Sequence, residues 1–216
     1  MGTQSGSRQH LGLPHPTQRK IIGILGTAYP FILSLGALFL FATGIQNSIS
    51  SYYHTGMQDV FVGILFVIGF FLISYNGYDL TDDIVGYVGG ISAVGSALFP
   101  ASSHDAAHAV LIGHIHLVFA ALFFLSLIYF SLFLFTKTDP SRQPSRKKLH
   151  RNKAYKTCGY IMIICLLLIV ILHFLPKEIR SPLKAYHPEF WLETIAVIAF
   201  GISWLIKGET LLRDEA

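Results

Sequence analysis

The chain carries little charge. Asp, Glu, Lys and Arg make up 13% of its 216 residues, against about 25% in an ordinary soluble domain. Hydrophobic residues make up 52%. That balance excludes a soluble domain wrapped in a charged shell. Cysteine is equally scarce, with only Cys158 and Cys165. At that spacing on one helix they stand about 10 Å apart along the axis. They cannot bond to each other within that helix, they carry no information on redox compartment, and they read as core packing. There is no glycine-rich nucleotide loop and no internal repeat. The net charge of +4 gathers in one segment, 137–156, with Arg142, Arg146, Lys147, Lys148, Arg151 and Lys153. That concentration gives no indication of nucleic acid as a partner.

What the chain does have is long apolar runs. Crossing roughly 30 Å of hydrocarbon takes close to 20 apolar residues on a helix. Such runs occupy about 21–43, 60–75, 84–100, 116–135, 157–175 and 190–206, the second and third being short or glycine-rich. Backbone polar groups in lipid must be satisfied within the segment. The expected fold is therefore an all-α integral membrane protein, a six-transmembrane-helix bundle. Residues 1–20 form a polar tail, 21–208 the membrane domain and 209–216 a second tail. Residues 1–19 are polar and the run after them is too long for a signal-peptide core, so no cleaved leader is expected.

Basic residues set the orientation, because loops rich in Lys and Arg stay on the cytoplasmic side. Arg8, Arg19 and Lys20 precede the first run, the 137–156 segment follows the fourth, and Lys207 and Arg213 follow the sixth. With six crossings these all share one side. Both termini are expected to be cytoplasmic, in the inner (plasma) membrane. The acidic loop 78–83 falls on the same side, and acidic residues count for little in this rule. Loops 44–58, 101–113 and 176–189 then face outward.

Histidine is distributed unevenly between the two faces. Of ten histidines, His54, His104, His108, His114, His116, His173 and His187 fall on the outer side, leaving His10, His15 and His150 on the other. Asp59, His116 and Glu193 each open an apolar run. Ionisable groups at membrane depth are expensive and usually functional. A layer of imidazoles and carboxylates from separate helices suits a divalent metal, zinc above all, with three protein ligands and an open position for water. The candidate ligands are His54, Asp59, His104, His108, His116 and Glu193. His104 and His108 share a face if helical, with Ser103 placed to cap that helix. Such a metal would acidify its water and polarise a carbonyl or phosphoryl oxygen. Read singly, each of these residues also fits a plainer role, bridging to headgroups or water, and Glu193 fits a helix N-terminus.

The stretch Ser50-Ser51-Tyr52-Tyr53-His54 contains S-x-x-x-H, and Asp59 follows at the head of the next run. This resembles the superfamily of membrane hydrolases and receptors that includes the alkaline ceramidases and the adiponectin-receptor-like proteins. It is also similar to six-helix bacterial membrane proteins with the same texture across helices one and two. The resemblance implies a zinc-dependent hydrolase of lipid amides or esters, with membrane lipids as partners and with Ser50, His54 and Asp59 carried over. Ser50 would act as oxyanion donor or water-orienting group, and Glu193 as ligand or general base. The chain departs from the pattern in its last helix, where Glu189-x-x-x-Glu193 stands in place of two histidines, and in having six rather than seven runs. Carboxylates there favour harder ions such as Ca²⁺, Mg²⁺ or Mn²⁺, unless His104, His108 or His116 supplies the imidazoles.

Two other readings compete with hydrolysis. His116 and His173 are candidates for axial haem ligands, and the polar cluster also suits a non-catalytic sensor or assembly factor. Gly86-x-x-x-Gly90 with Ala93 and Ala97 predicts close helix packing within the chain. Pro30 predicts a kink in the first helix. Tyr52, Tyr53, Tyr186, Phe190, Trp191 and Trp204 fit interfacial belts.

Overall fold

The computed structural model describes residues 15–75, 77, 79–101, 107–138, 143 and 145–210, and among these it is all-helical. The helices are α1 (His15–Phe41), α2 (Gln58–Ile73), α3 (Leu80–Leu98), α4 (Ala107–Tyr129), α5 (Arg146–Phe174), a short α6 (Lys177–Leu183) and α7 (Pro188–Lys207). A 3-10 turn, Ser50–His54, sits between α1 and α2. α4 continues as a π-helical turn, Phe130–Leu134. Each of the six apolar runs falls on one helix, ending at most two residues beyond it.

Length and apolarity divide these six. α1 over Pro16–Phe41, α4 over Val110–Leu134, α5 and α7 are long and apolar enough to cross a membrane. α2 is apolar but has 16 residues, a rise of about 24 Å at 1.5 Å per residue. α3 has 19 residues, and Asp82, Asp83 and its glycines dilute its apolar character.

The helices pack as two layers of three. α3 lies between α2 and α4, and α7 lies between α1 and α5. The layers join more loosely along α1–α2 and α4–α5. Small residues set both tight pairings. A methyl group added at Gly90 would stand 2.5 Å from the Gly69 carbonyl oxygen, and one at Gly86 would stand 2.8 Å from that of Leu72. The 86–90 glycine pair therefore packs α3 against α2 within the chain. On the other layer, a methyl at Gly23 of α1 would stand 2.9 Å from the Gly201 carbonyl oxygen of α7.

Between the layers runs an aromatic core. Trp204 is fully buried, its ring turned into the bundle. Its ring centroid lies 5.1 Å from Phe135, 5.3 Å from Phe130, 5.5 Å from Tyr75 and 6.1 Å from Phe200. Cys158 and Cys165 are buried and free. α1 contains Pro30 without interruption, with the Ser34 hydroxyl donating to the Pro30 carbonyl at 2.8 Å.

Connections at the two ends differ in character. At the end where α1 begins and α7 finishes, Lys137 donates to Asp79 at 2.8 Å and also pairs with the buried Asp82. This ties the α2–α3 connection to the end of α4. Asp79 also caps α3, accepting from the Asp82 N–H at 3.2 Å. At the opposite end, the Phe190 N–H donates to the Asn47 carbonyl at 3.0 Å, pinning the segment after α1 onto the start of α7.

Candidate functional site

The serine-rich stretch builds a lid at the α6 end of the bundle. The Ser48 hydroxyl accepts the Ser51 N–H at 3.1 Å and lies 3.0 and 2.7 Å from the Ser50 and Ser51 hydroxyls. Serine closes a short turn this way, because its side chain satisfies the backbone locally. Tyr52 is buried behind the turn and its oxygen accepts the Gln46 N–H at 3.4 Å. Burial raises the Tyr52 phenol above its ordinary range, with the Gln46 N–H working the other way. The turn thereby fixes Ile49 and Ser50 over the gap between the layers.

Beneath that lid lies a cavity of about 70 Å³, lined by Tyr29 of α1, Ser50, Ser96 of α3, His116 of α4, Glu193 of α7 and apolar side chains. One water needs roughly 10–15 Å³ by this measure, so the space takes a few waters. The Ile49 N–H donates to the Glu193 Oε2 at 2.5 Å, which fixes the carboxyl from above. His116 is buried, with Nδ1 3.0 Å from the Ser96 carbonyl oxygen and 2.7 Å from that of Phe99. Carbonyls only accept, so Nδ1 carries the hydrogen and Nε2, across the ring, is the lone-pair acceptor. The Tyr29 hydroxyl donates to the Phe61 carbonyl at a long 3.3 Å. The Ser96 hydroxyl is buried without a hydrogen-bond partner among the described residues.

A second space adjoins the first. Between α4 and α5 lies an apolar groove of about 350 Å³, lined by Leu117, Phe124 and Leu125 on α4 and by Leu166 and Val170 on α5, with Glu193 at its inner wall. Glu193 thus borders both a small cavity with a few polar groups in a mostly apolar lining and a groove walled by hydrocarbon. The groove exists because α4 and α5 touch sparsely, whereas α5 packs closely on α7.

Of the residues expected from sequence, Ser50, His116 and Glu193 line this one cavity. His54 and Asp59 do not. His54 is exposed on the 3-10 turn with Nε2 donating to the Ala101 carbonyl at 2.5 Å, and its ring stands edge-on to Tyr53 at 5.3 Å. Asp59 is exposed in the first turn of α2. His104 lies outside the described residues, and His108 falls in the first turn of α4 with its side chain outside the description. His173 is exposed on the last turn of α5, and His114 is exposed on α4. Among the described residues no three His, Cys, Asp or Glu side chains are grouped to hold a metal. The donors the cavity assembles are one carboxyl, one imidazole already oriented by carbonyls, and hydroxyls. That set does not fit a three-ligand zinc centre.

Tyr29 and Ser96 escaped the sequence reading. Tyr29 places a hydroxyl in mid-run, directly before Pro30, a polar tip inside a hydrocarbon span. Ser96 hides among the small residues of α3 that read as packing. Comparison with protein-family models, with curated proteins and with solved structures finds no match to this chain. The chemistry of the cavity therefore carries the functional argument.

Proposed function

We propose that the chain is a six-span plasma-membrane protein, with both termini cytoplasmic, that hydrolyses an ester or amide of a membrane lipid. One observation carries this reading: Glu193 stands at the junction of a small cavity, mostly apolar but edged by His116, Tyr29, Ser50 and Ser96, and an apolar groove open between α4 and α5. A lipid acyl chain fits such a groove from the side, and water reaches the acyl carbonyl from the cavity.

The roles follow from donor and acceptor chemistry. The His116 Nε2 lone pair accepts one hydrogen of a cavity water and orients it. Glu193 takes the other proton as the water oxygen adds to the acyl carbon. The carbonyl oxygen becomes an oxyanion, met by the Ser96 and Tyr29 hydroxyls, which have no partner and a weak one respectively. Collapse restores the carbonyl and breaks the bond to the alcohol or amine, which leaves with the proton from Glu193. The net change is one lipid ester or amide and one water to a fatty acid and the freed head. Ser50, at the rim, borders the reacting centre.

The test is fatty-acid release by purified protein in lipid nanodiscs, read by mass spectrometry over a panel of lipid esters and amides. Glu193→Gln keeps the shape and removes the base, and it should lower the rate by about 10²- to 10⁴-fold. A Glu193→Gln protein with full activity, or a wild type that releases nothing from any member of the panel, would sink the reading. Divalent metal, zinc first, has no part in this scheme, and its binding through His104 and His108 is the outcome that would displace it. Stoichiometric metal in protein purified without a chelating tag, lost on changing both to alanine, would replace the acid–base scheme with a metal-centred one.

A further inference from the structure

At the α6 end of the bundle lies a third space of about 180 Å³, lined by Leu172, Asn47, Arg180, Lys184, His187 and Glu189. Its walls are the end of α5, the short α6 segment and the first turn of α7. Lys177, Arg180 and Lys184 recur at spacings of three and four, so α6 turns one basic face to the same side. Arg180, Lys184 and Lys177 border a further, neighbouring recess. Neither Arg180 nor Lys184 is in an ion pair among the described residues. Arg180 is held in place by donating to the His173 carbonyl at 3.1 Å.

His187 marks this space as more than a surface dent. Its backbone is left-handed, φ 49° and ψ 48°, a conformation uncommon outside glycine though commoner at histidine than at most residues. That backbone seats the imidazole at the head of α7, in the wall of the space. Nδ1 is buried there with no hydrogen-bond partner among the described residues, and a buried nitrogen without a partner calls for one. Two cations, Arg180 and Lys184, against one carboxylate, Glu189, give the space a net attraction for a phosphoryl group.

We propose that this space is the headgroup site for a phosphate-bearing lipid whose acyl chain lies in the α4–α5 groove. The inference rests on the reading of that groove as a lipid site. The groove wall on α5 includes Ile169, and Leu172, three residues on and on the same side of the helix, lines the basic space. On α7, Glu189 borders the head space and Glu193 borders the groove, one helical turn or about 6 Å apart. That offset matches the glycerol unit between a phosphate and its acyl carbonyl. A phosphate held by Arg180 and Lys184 therefore brings the ester carbonyl to the level of Glu193. Glu189 meets the far side of the head, where glycerophospholipids carry hydroxyl or ammonium donors.

Binding is measured on the Glu193→Gln protein, so that no lipid is consumed and a failure of catalysis leaves the result unaffected. The probes are dioleoyl phosphatidylglycerol and dioleoylglycerol, which share acyl chains and differ in the phosphoryl head, and inorganic phosphate alone. Bound lipid is counted by native mass spectrometry in detergent. Phosphatidylglycerol should bind at least about ten-fold tighter than dioleoylglycerol. Lys184→Gln, at an exposed position that threatens no fold, should cut that preference several-fold, and adding Arg180→Gln should abolish it while dioleoylglycerol binding stays the same. Equal binding of the two lipids, or a preference that survives the double change, would overturn the proposal. Phosphate alone competing at concentrations comparable to the lipid would make this a free-phosphate site and overturn the lipid assignment.

Discussion

At the scale of single residues, backbone contacts that cannot yield decide packing. Gly90 faces the Gly69 carbonyl oxygen at 2.5 Å and the Ile73 nitrogen at 2.9 Å from where a methyl group would sit. Both are main-chain atoms of α2, so a side chain there moves a helix and not a rotamer. Gly63 on the same pair of helices has nothing within 4 Å. Gly90→Ala should therefore cost about 1–3 kcal/mol by overpacking, whereas Gly63→Ala should be neutral or gain a few tenths through helix propensity. Thermal unfolding of the two variants in the same detergent checks this, and equal melting points would show that α2 and α3 do not approach as described. The same contrast explains what was legible in the sequence. Glu193 and His116 stand out because a titratable group in hydrocarbon is costly, and the cavity unites them with Ser50. Tyr29 and Ser96 do not stand out, because a hydroxyl in a helix is cheap and common. His54 stands out by motif, yet it serves the structure by bonding to the Ala101 carbonyl, a loop partner that no helical spacing reveals.

At the scale of elements, the α2–α3 connection is held by charge. Lys137 joins Asp79 and Asp82 across the end of α4. The Lys137 hydrogen bond and that from Asp82 hold the Asp79 carboxyl below its usual range. Partial burial works to lower the Lys137 ammonium, and the two carboxylates outweigh it and raise it. A depressed carboxyl contributes stability that is present above its ordinary range and is lost as pH falls through its folded value. A raised ammonium contributes stability that is present below its ordinary range and is lost only as pH rises through its folded value. The link is therefore intact through neutral pH and fails first in acid. Lys137→Met should lower the melting point clearly at pH 7 and far less at pH 3. A difference that is the same at both would show that the link is not ionic. Element positions were largely readable, since each apolar run falls on one helix and ends at most two residues beyond it. The short α6 and the π turn at Phe130–Leu134 were not, because neither has a hydrophobic period of its own. One is a basic bridge between α5 and α7, and the other lies where the end of α4 meets α3 and α5.

At the scale of the whole molecule, the question is whether α2 and α3 cross the bilayer with the others. Hydrocarbon about 30 Å thick is longer than the rise of about 24 Å in α2. Yet α2 and α3 pack along their full glycine seam, and α3 also packs along α4, which has the length to span. On the six-span proposal a pair clamped to α4 in this way crosses with it, the shorter helix being accommodated by local thinning of the bilayer. Single cysteines on a background lacking Cys158 and Cys165 test the arrangement in intact cells with a membrane-impermeant reagent. Thr55, after the 3-10 turn, should label from outside. Gln143, between α4 and α5, should label only after permeabilisation. Thr81, exposed at the start of α3, separates the alternatives: it should behave like Gln143 if α2 and α3 both cross. If Thr81 labels from outside with Thr55, then α2 and α3 form a hairpin dipping in from that side. The Glu193 cavity would then lie in a re-entrant fold and not between six spans. If Gln143 labels from outside and Thr55 does not, the orientation is inverted, and the headgroup space at Arg180 and Lys184 faces the cytoplasmic leaflet.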